Sequence, residues 1–420
     1  MTTLHLMTVN RRVHLTGRLC QAVLIFRLLV AAAMLLLLLL AETSFAATTG
    51  DKSQRAFYSA GLDLSAGGAR TLATAEEGPA SRSGVLAFCA SNPHYFQAAN
   101  GKPLWLIGAY TWGTFSDVDY DYVTMFDTLQ AHGLNFSRVW LFWGNETGSE
   151  DRTNVVPYLR TGPGNANDGK AKYDLTQFDP NFFERLRTLC IAAHERGIYL
   201  QLILFDAWML KHPHLWKLHA FHRENNINGV DGDPRNTGMG TDGEGGFCSV
   251  GNPKALEAQQ AFIRRVVDAV NEFDHVLFEI ANENYYNEPW ELRLCDFIHD
   301  YEKTKPRQHL VMPKDLLNHS SVVQTWDVKA VHAAMIEKRS RRQPLIFDTD
   351  WTITQNDDEV RKAMWAAVLS GGHFNYMDDR RANRQRAQRR FPGQPPGEPA
   401  QANRLPRCVY ETNKVLPDAA

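Results

Sequence analysis

Between residues 104 and 377 the chain alternates short apolar runs with stretches whose apolar positions recur every three or four residues. Leu104-Trp-Leu-Ile-Gly-Ala109 and residues 136–142 read as buried strands. Between them Val123, Phe126 and Leu129 mark a helix over 120–132 that stops at Gly133. Residues 178–196 predict a second helix, closed by Gly197 and followed at once by a third strand at 198–205. A long helix is expected over 253–273, then a fourth strand at 275–280. After a helix at 291–303 comes a weaker fifth strand at 309–312, and a sixth is expected at 328–332. Residues 344–347 form a seventh strand, 358–370 a helix and 373–377 an eighth strand.

Strands that alternate with helices signal a parallel sheet with crossover connections. Eight strands over about 275 residues match a single-domain α/β protein with a closed (β/α)8 TIM barrel, whose usual size is about 250 residues. An open doubly wound sheet would carry a glycine-rich phosphate loop after its first strand, and Gly108-Ala-Tyr-Thr-Trp-Gly113 is not one. The barrel therefore occupies 85–379. In such a barrel, reactive groups gather where the strands end.

Outside that body the composition changes. Arg11, Arg12, Arg18 and Arg27 precede an unbroken apolar run over 28–41, followed by Ser44-Phe45-Ala46. That run is short for a spanning helix, which needs roughly 20 residues, and suits a signal-peptide core. Residues 1–46 are therefore expected to be a signal peptide cleaved after Ala46, making the mature protein secreted or periplasmic. An uncleaved anchor over 21–41 is the alternative. Residues 47–84, rich in Ala, Gly, Ser and Thr, read as a flexible lead-in. Residues 380–420 open with an arginine-rich run and continue through a Pro/Gly-rich stretch; without an apolar stripe they are expected to be a disordered tail.

These ends alter the meaning of the formal net charge of −2. Residues 1–46 carry +3, 380–407 carry +7 and 408–420 carry −1, which leaves 47–379 at −11. An acidic body is not a nucleic-acid-binding surface, and no nucleic-acid partner is expected. The six cysteines show no paired spacing, so the chain is no disulfide scaffold, although one bridge is compatible with export. A monomer without cofactor is expected.

The strand ends carry the chemistry. The first ends in Tyr110-Thr-Trp112, and the second carries Arg138, Trp140 and Trp143 before Asn145-Glu146. The third ends at Asp206-Ala-Trp208, and the fourth in Glu279-Ile-Ala-Asn282-Glu283-Asn284-Tyr285-Tyr286. The sixth ends near His332, the seventh in Asp348-Thr-Asp350-Trp351, and the eighth in Asn375-Tyr376-Met377-Asp378. Carboxylates and aromatic rings therefore share one mouth. Rings stack on the apolar faces of sugars, and two opposed carboxylates suit glycoside hydrolysis. Glu279, inside the fourth strand, is placed to pair with Arg138 within the barrel.

The run from Asn92-Pro-His-Tyr-Phe through Gly101-Lys-Pro-Leu-Trp-Leu-Ile-Gly-Ala-Tyr-Thr-Trp112 resembles the opening of cellulase-like clan A glycoside hydrolases of the family five type. Gly133-Leu-Asn-Phe-Ser-Arg-Val-Trp140 and Ile280-Ala-Asn-Glu-Asn284 carry the same resemblance, which covers roughly 85–379. It implies that Glu283 is the general acid/base and that Asn282 binds the sugar 2-hydroxyl. It also implies a nucleophilic Glu at the end of strand seven, where this chain has none. Asp350, followed by Trp351, best matches that position, with Asp348 second and Asp206 or Glu146 as further candidates. A carboxyl separation of about 5–5.5 Å would mean retention of configuration, and a wider gap inversion.

Substrate contacts are expected from Tyr110, Trp112, Arg138, Asp206, Trp208, Asn282, Tyr285, His332, Trp351 and Tyr376, with a carbohydrate as partner. Asp206 has a second reading as a cap for the segment that follows it. Two other function classes compete: a carbohydrate-binding barrel that has lost catalysis, motivated by the absent strand-seven Glu, and a metal-dependent barrel hydrolase using His212, His214, His219 and His222. Those histidines follow the third strand and read better as a polar lid than as a metal site, so no metal is expected. The glycine-rich piece over 228–251 belongs to the same loop and is either disordered or substrate-shaping.

Overall fold

The computed structural model describes residues 85–118, 120–141, 155–241, 244–284, 287–314, 317–318, 328–349 and 357–377. The signal segment, the lead-in and the arginine-rich tail lie outside them.

Eight parallel strands form one sheet: β1 Ile107–Tyr110, β2 Phe136–Trp140, β3 Tyr199–Asp206, β4 Val276–Asn282, β5 Val311–Met312, β6 Leu317–Asn318, β7 Leu345–Thr349 and β8 His373–Met377. Their order is β5-β4-β3-β2-β1-β8-β7-β6, so the first strand lies beside the eighth. The β1–β8 ladder pairs Phe374 with Ile107 and Tyr376 with Ala109. This curled order fits a (β/α)8 barrel. Between β5 and β6 no ladder is formed among the described residues.

Among the described residues, six helices of ten residues or more accompany the strands: α1 Tyr122–Ala131, α2 Pro180–His194, α3 Pro253–Val270, α4 Glu288–Glu302, α5 Val328–Arg339 and α6 Asp357–Leu369. Their starts follow from local chemistry. Asp121, Asp179, Asn252 and Asn287 each accept a hydrogen bond from a backbone N–H of the first turn, and proline follows within two residues in the last three.

One expected strand is a helix. The β-branched Val328 and Val331 suggest extended backbone over 328–332. However, buried Val331 and Met335 recur at helical spacing, and the segment is the first half of α5. The sixth strand is instead Leu317–Asn318, only four residues after β5, too short an interval for a crossover helix.

The interior is layered. Leu106, Phe136, Leu277, Leu310, Met312 and Ile346 form an apolar cluster at the N-terminal end of the barrel. Leu86 and Phe96 join it from a small antiparallel sheet of Ala87–Phe88, Phe96–Gln97 and Pro103–Leu104 and its lead-in. At the opposite end Tyr110, Trp140, Ile203 and Met377 cluster, with Trp112 packed against them. Between these apolar layers lie buried Arg138, Gln201, Glu279, Asp348 and Asn375. Alternation along each strand produces this, since residues two apart share a face. Gly108 allows β1 and β2 to approach: a Cβ there would overlap the Phe136 carbonyl oxygen.

Candidate active site

Arg138, on β2, sits at the centre of the barrel with 1% of its surface exposed. Its Nε donates to Glu279 Oε2 at 3.1 Å and its Nη2 to Glu279 Oε1 at 2.7 Å. The expected pairing with Glu279 is therefore present, and Gln201 Nε2 adds a hydrogen bond to Glu279 Oε2 at 2.7 Å. Arg138 Nη1 reaches Asp348 Oδ2 at 2.6 Å, and the Tyr110 hydroxyl donates to Asp348 Oδ1 at 2.7 Å. The guanidinium lies over the rings of Trp140, at 4.7 Å, and Tyr110, at 5.5 Å. Burial pushes the Glu279 and Asp348 carboxyls upward, and the Arg138 charge opposes it.

The network continues to the end of β4. Arg138 Nη2 donates to Asn282 Oδ1 at 3.3 Å, and Asn282 Nδ2 donates to Asp206 Oδ1 at 2.9 Å. These two bonds fix the Asn282 amide and leave its second N–H for a ligand. Asp206 also accepts from the backbone N–H groups of Trp208 and Met209, both at 3.3 Å, which start the short helical turn Ala207–Leu210. Its expected capping role is thus real. Burial pushes the Asp206 carboxyl up to about 7; the Asn282 hydrogen bond works against this and the Glu283 charge adds to it.

Glu283 follows directly, with φ of +52°. A non-glycine residue in the left-handed region costs about 1–3 kcal/mol, and such residues cluster at active sites and ligand clamps. Its Oε2 lies 2.7 Å from Lys211 Nζ, with 17% and 28% of the two side chains exposed. Lys211 itself stands 5.9 Å over the Trp208 ring. Sequence reasoning missed Lys211, because nothing in the order of residues shows that the turn after β3 folds back over the end of β4. It also missed Glu291, in the first turn of α4. Burial raises its carboxyl to about 8, against a hydrogen bond from Asn284.

The structure thus gathers Tyr110, Arg138, Asp206, Asn282 and Asp348 in one network, with Glu283 and Trp112 beside it. It separates two expected contacts from it. Tyr376 belongs to the core between sheet and helices, because residue 376 falls on the outward face of β8 while Met377 faces the mouth. His332 lies on α5, where Nδ1 bonds the Ser370 hydroxyl at 2.8 Å, and ends no strand. Asp350, Trp351, Tyr285, Trp143 and Glu146 lie outside the described residues.

The histidine-rich loop is packed rather than convergent. His219 is buried, stacked on Trp216 at 5.2 Å and edge-on to Phe247 at 5.2 Å, and burial pushes it down to about 3. Gly232 and Gly240 lie against Trp216, where a Cβ would come within 2.6 and 2.8 Å of its ring. Among the described residues, no three metal-ligating side chains of this loop converge. Cys89, Cys190 and Cys248 are free and buried, and Cys295 is buried as well. No helix of the described residues is long and apolar enough to cross a membrane.

The profile of a domain of unknown function, DUF6298, matches residues 154–324. No curated protein has a matching sequence. Among solved structures, the glycoside hydrolase family 5 mannosidase of Rhizomucor miehei superposes with a TM-score of 0.50 at 14% identity, over 80% of this chain and 98% of that one. A point mutant of the same mannosidase gives 0.50 at 16% identity, over 79% and 98%. A provisionally assigned glycoside hydrolase from Bacteroides vulgatus gives 0.47 at 16% identity, over 72% of this chain. The chain spans 56% of that protein's length. At these identities the likeness establishes architecture: the chain has the barrel fold of the family 5 glycoside hydrolases.

Proposed function

We propose that this protein is an exported glycoside hydrolase acting on a poly- or oligosaccharide by a retaining, two-carboxylate mechanism. The observation that carries this reading is the end of β4. There Asn282 is clamped between Asp206 and Arg138, and Glu283 follows it with a left-handed backbone and Oε2 2.7 Å from Lys211 Nζ. In this reading Glu283 protonates the glycosidic oxygen as its bond to the anomeric carbon breaks. A strand-seven carboxylate attacks that carbon to form a glycosyl ester. Water then displaces the ester while Glu283 takes the water's proton.

Asp350 is the better nucleophile. Both oxygens of Asp348 are already engaged, one by Tyr110 and one by Arg138, and the side chain is wholly buried. Asp348 therefore serves as a positioning residue, which leaves Asp350, two residues on in the sequence, for the nucleophile. Before a glycosidic oxygen can reach Glu283, the Lys211 contact must open. Trp112 and Trp208, both half-buried near this end, are suited to stack on sugar rings.

The decisive experiment compares wild type with Glu283→Gln and Asp350→Asn on a panel of plant and microbial glycans, following released sugar and its anomeric configuration. Turnover lost in both variants, with retained configuration in wild type, is the expected outcome. Sugar binding without wild-type turnover would identify a carbohydrate-binding barrel instead. That second reading is favoured by one observation, the aspartates standing where a strand-seven Glu is expected.

A further inference from the structure

At the N-terminal end of the barrel, His194 closes α2, and Asp274-His275 immediately precede β4. This end is far from the carboxylate mouth: the seven residues of β4 span on the order of 20 Å. His275 is 4% exposed, and its Nε2 lies 3.1 Å from the Cys190 carbonyl oxygen. A carbonyl can only accept, so Nε2 carries the hydrogen and, in the neutral ring, Nδ1 presents a bare lone pair.

That lone pair has no hydrogen-bond partner and no access to solvent. It faces Asp274 Oδ1 at 3.8 Å, beyond hydrogen-bond reach, and Oδ1 is itself an acceptor. His194 Nε2 lies 3.7 Å from the same oxygen. The three ligand atoms fall within 4.8 Å of one another, the one such group among the described residues. Acceptors turned toward a shared gap repel unless a cation lies between them.

We propose that His194, Asp274 and His275 bind a divalent transition metal of the zinc class, with water completing the coordination. The donor set of two imidazoles and one carboxylate matches that class. The bond from His275 Nε2 to a backbone carbonyl is the outer-shell contact that commonly orients a metal-binding histidine. Tetrahedral bonds of about 2.0–2.1 Å put donor atoms about 3.3 Å apart, so closure needs a contraction of about half an ångström at Asp274 and of up to about 1.5 Å between the two imidazoles. Rotation of the His194 side chain, which is 57% exposed, can supply it. The metal would tie the end of α2 to the start of β4, independently of any chemistry at the mouth.

Zinc titration of the chelator-stripped, dialysed full-length protein by calorimetry tests this. One equivalent should bind, and the thermal midpoint should rise with zinc. His194→Ala, a change at an exposed side chain, and Asp274→Asn should each weaken binding at least tenfold and abolish the thermal shift. Wild type that takes up no zinc, or His194→Ala that binds as wild type does, would overturn the proposal. So would zinc binding that survives in His194→Ala and vanishes in His212→Ala, because it would place the metal in the loop after β3.

Discussion

Arg138 Nη1 and Asp348 Oδ2 meet at 2.6 Å between β2 and β7, with side chains 1% and 0% exposed. Together with Glu279 they form a buried group of one guanidinium and two carboxylates held between apolar layers. Such a group is sensitive because each member neutralises another in a low-dielectric interior. Truncating Arg138 to methionine leaves two carboxylates facing each other and should cost about 3–5 kcal/mol. Urea unfolding of Arg138→Met provides the measurement; a midpoint equal to wild type would show that the pair contributes no net stability.

Glu283 is on the proposed reaction path without being part of that group. Glu283→Gln should reduce turnover by about 10²–10⁴, the usual contribution of a general acid/base. Its thermal midpoint should stay close to that of wild type. Steady-state kinetics and circular dichroism on the same preparation separate a chemical loss from a folding loss.

Asp348 and Asp350 should respond differently to the same substitution. Asp348→Asn removes the negative charge that both Tyr110 and Arg138 face and should destabilise by about 3–5 kcal/mol. Asp350→Asn should abolish turnover while leaving the unfolding midpoint nearly unchanged. The opposite pattern, with Asp348→Asn well folded and inert and Asp350→Asn active, would exchange their roles.

Glu291 makes stability depend on pH. Its carboxyl is raised to about 8 in the folded protein, against an ordinary value of 4.5. The folded state therefore holds a proton that the unfolded state has lost, and stability declines as pH rises from about 4.5 to about 8. Glu291→Gln lacks this penalty, so its advantage over wild type should grow across that interval and level off above it. Allowing for partial exposure, about 1–2 kcal/mol is expected, read from denaturation midpoints at pH 5 and pH 8.5.

Gly108 bears on the pairing of β1 with β2. A methyl group there would run into backbone, the Phe136 carbonyl, so β1 and β2 would have to separate. Gly108→Ala should destabilise by more than about 3 kcal/mol or prevent soluble expression. Thermal unfolding of whatever soluble variant is recovered provides the check.

Much of the architecture is legible in the sequence because each element has a local cause. The strand expected over 373–377 has the bounds of β8, and the helices expected at α2, α3 and α6 agree to within a few residues at each end. The failure at 328–332 is equally physical. β-branched residues favour extended backbone only weakly, and the burial of Val331 and Met335 on one helical face outweighs that preference. Two-residue strands such as β5 and β6 leave almost no pattern to read.

The site divides along the same line. Sequence alone determined the alternation of strands and helices, the carboxylate and Asn282-Glu283 positions at strand ends, and the Arg138–Glu279 pairing, because strand period and order suffice for these. Tertiary structure alone decided that Tyr110 and Arg138 occupy both oxygens of Asp348, that Lys211 reaches Glu283, and that Tyr376 and His332 point elsewhere. It also decided that His194 meets Asp274 and His275. Those relationships depend on distances between residues about 70 to 240 positions apart, and on which face a ring or carboxylate takes. Only the packing of the sheet and its helices sets them.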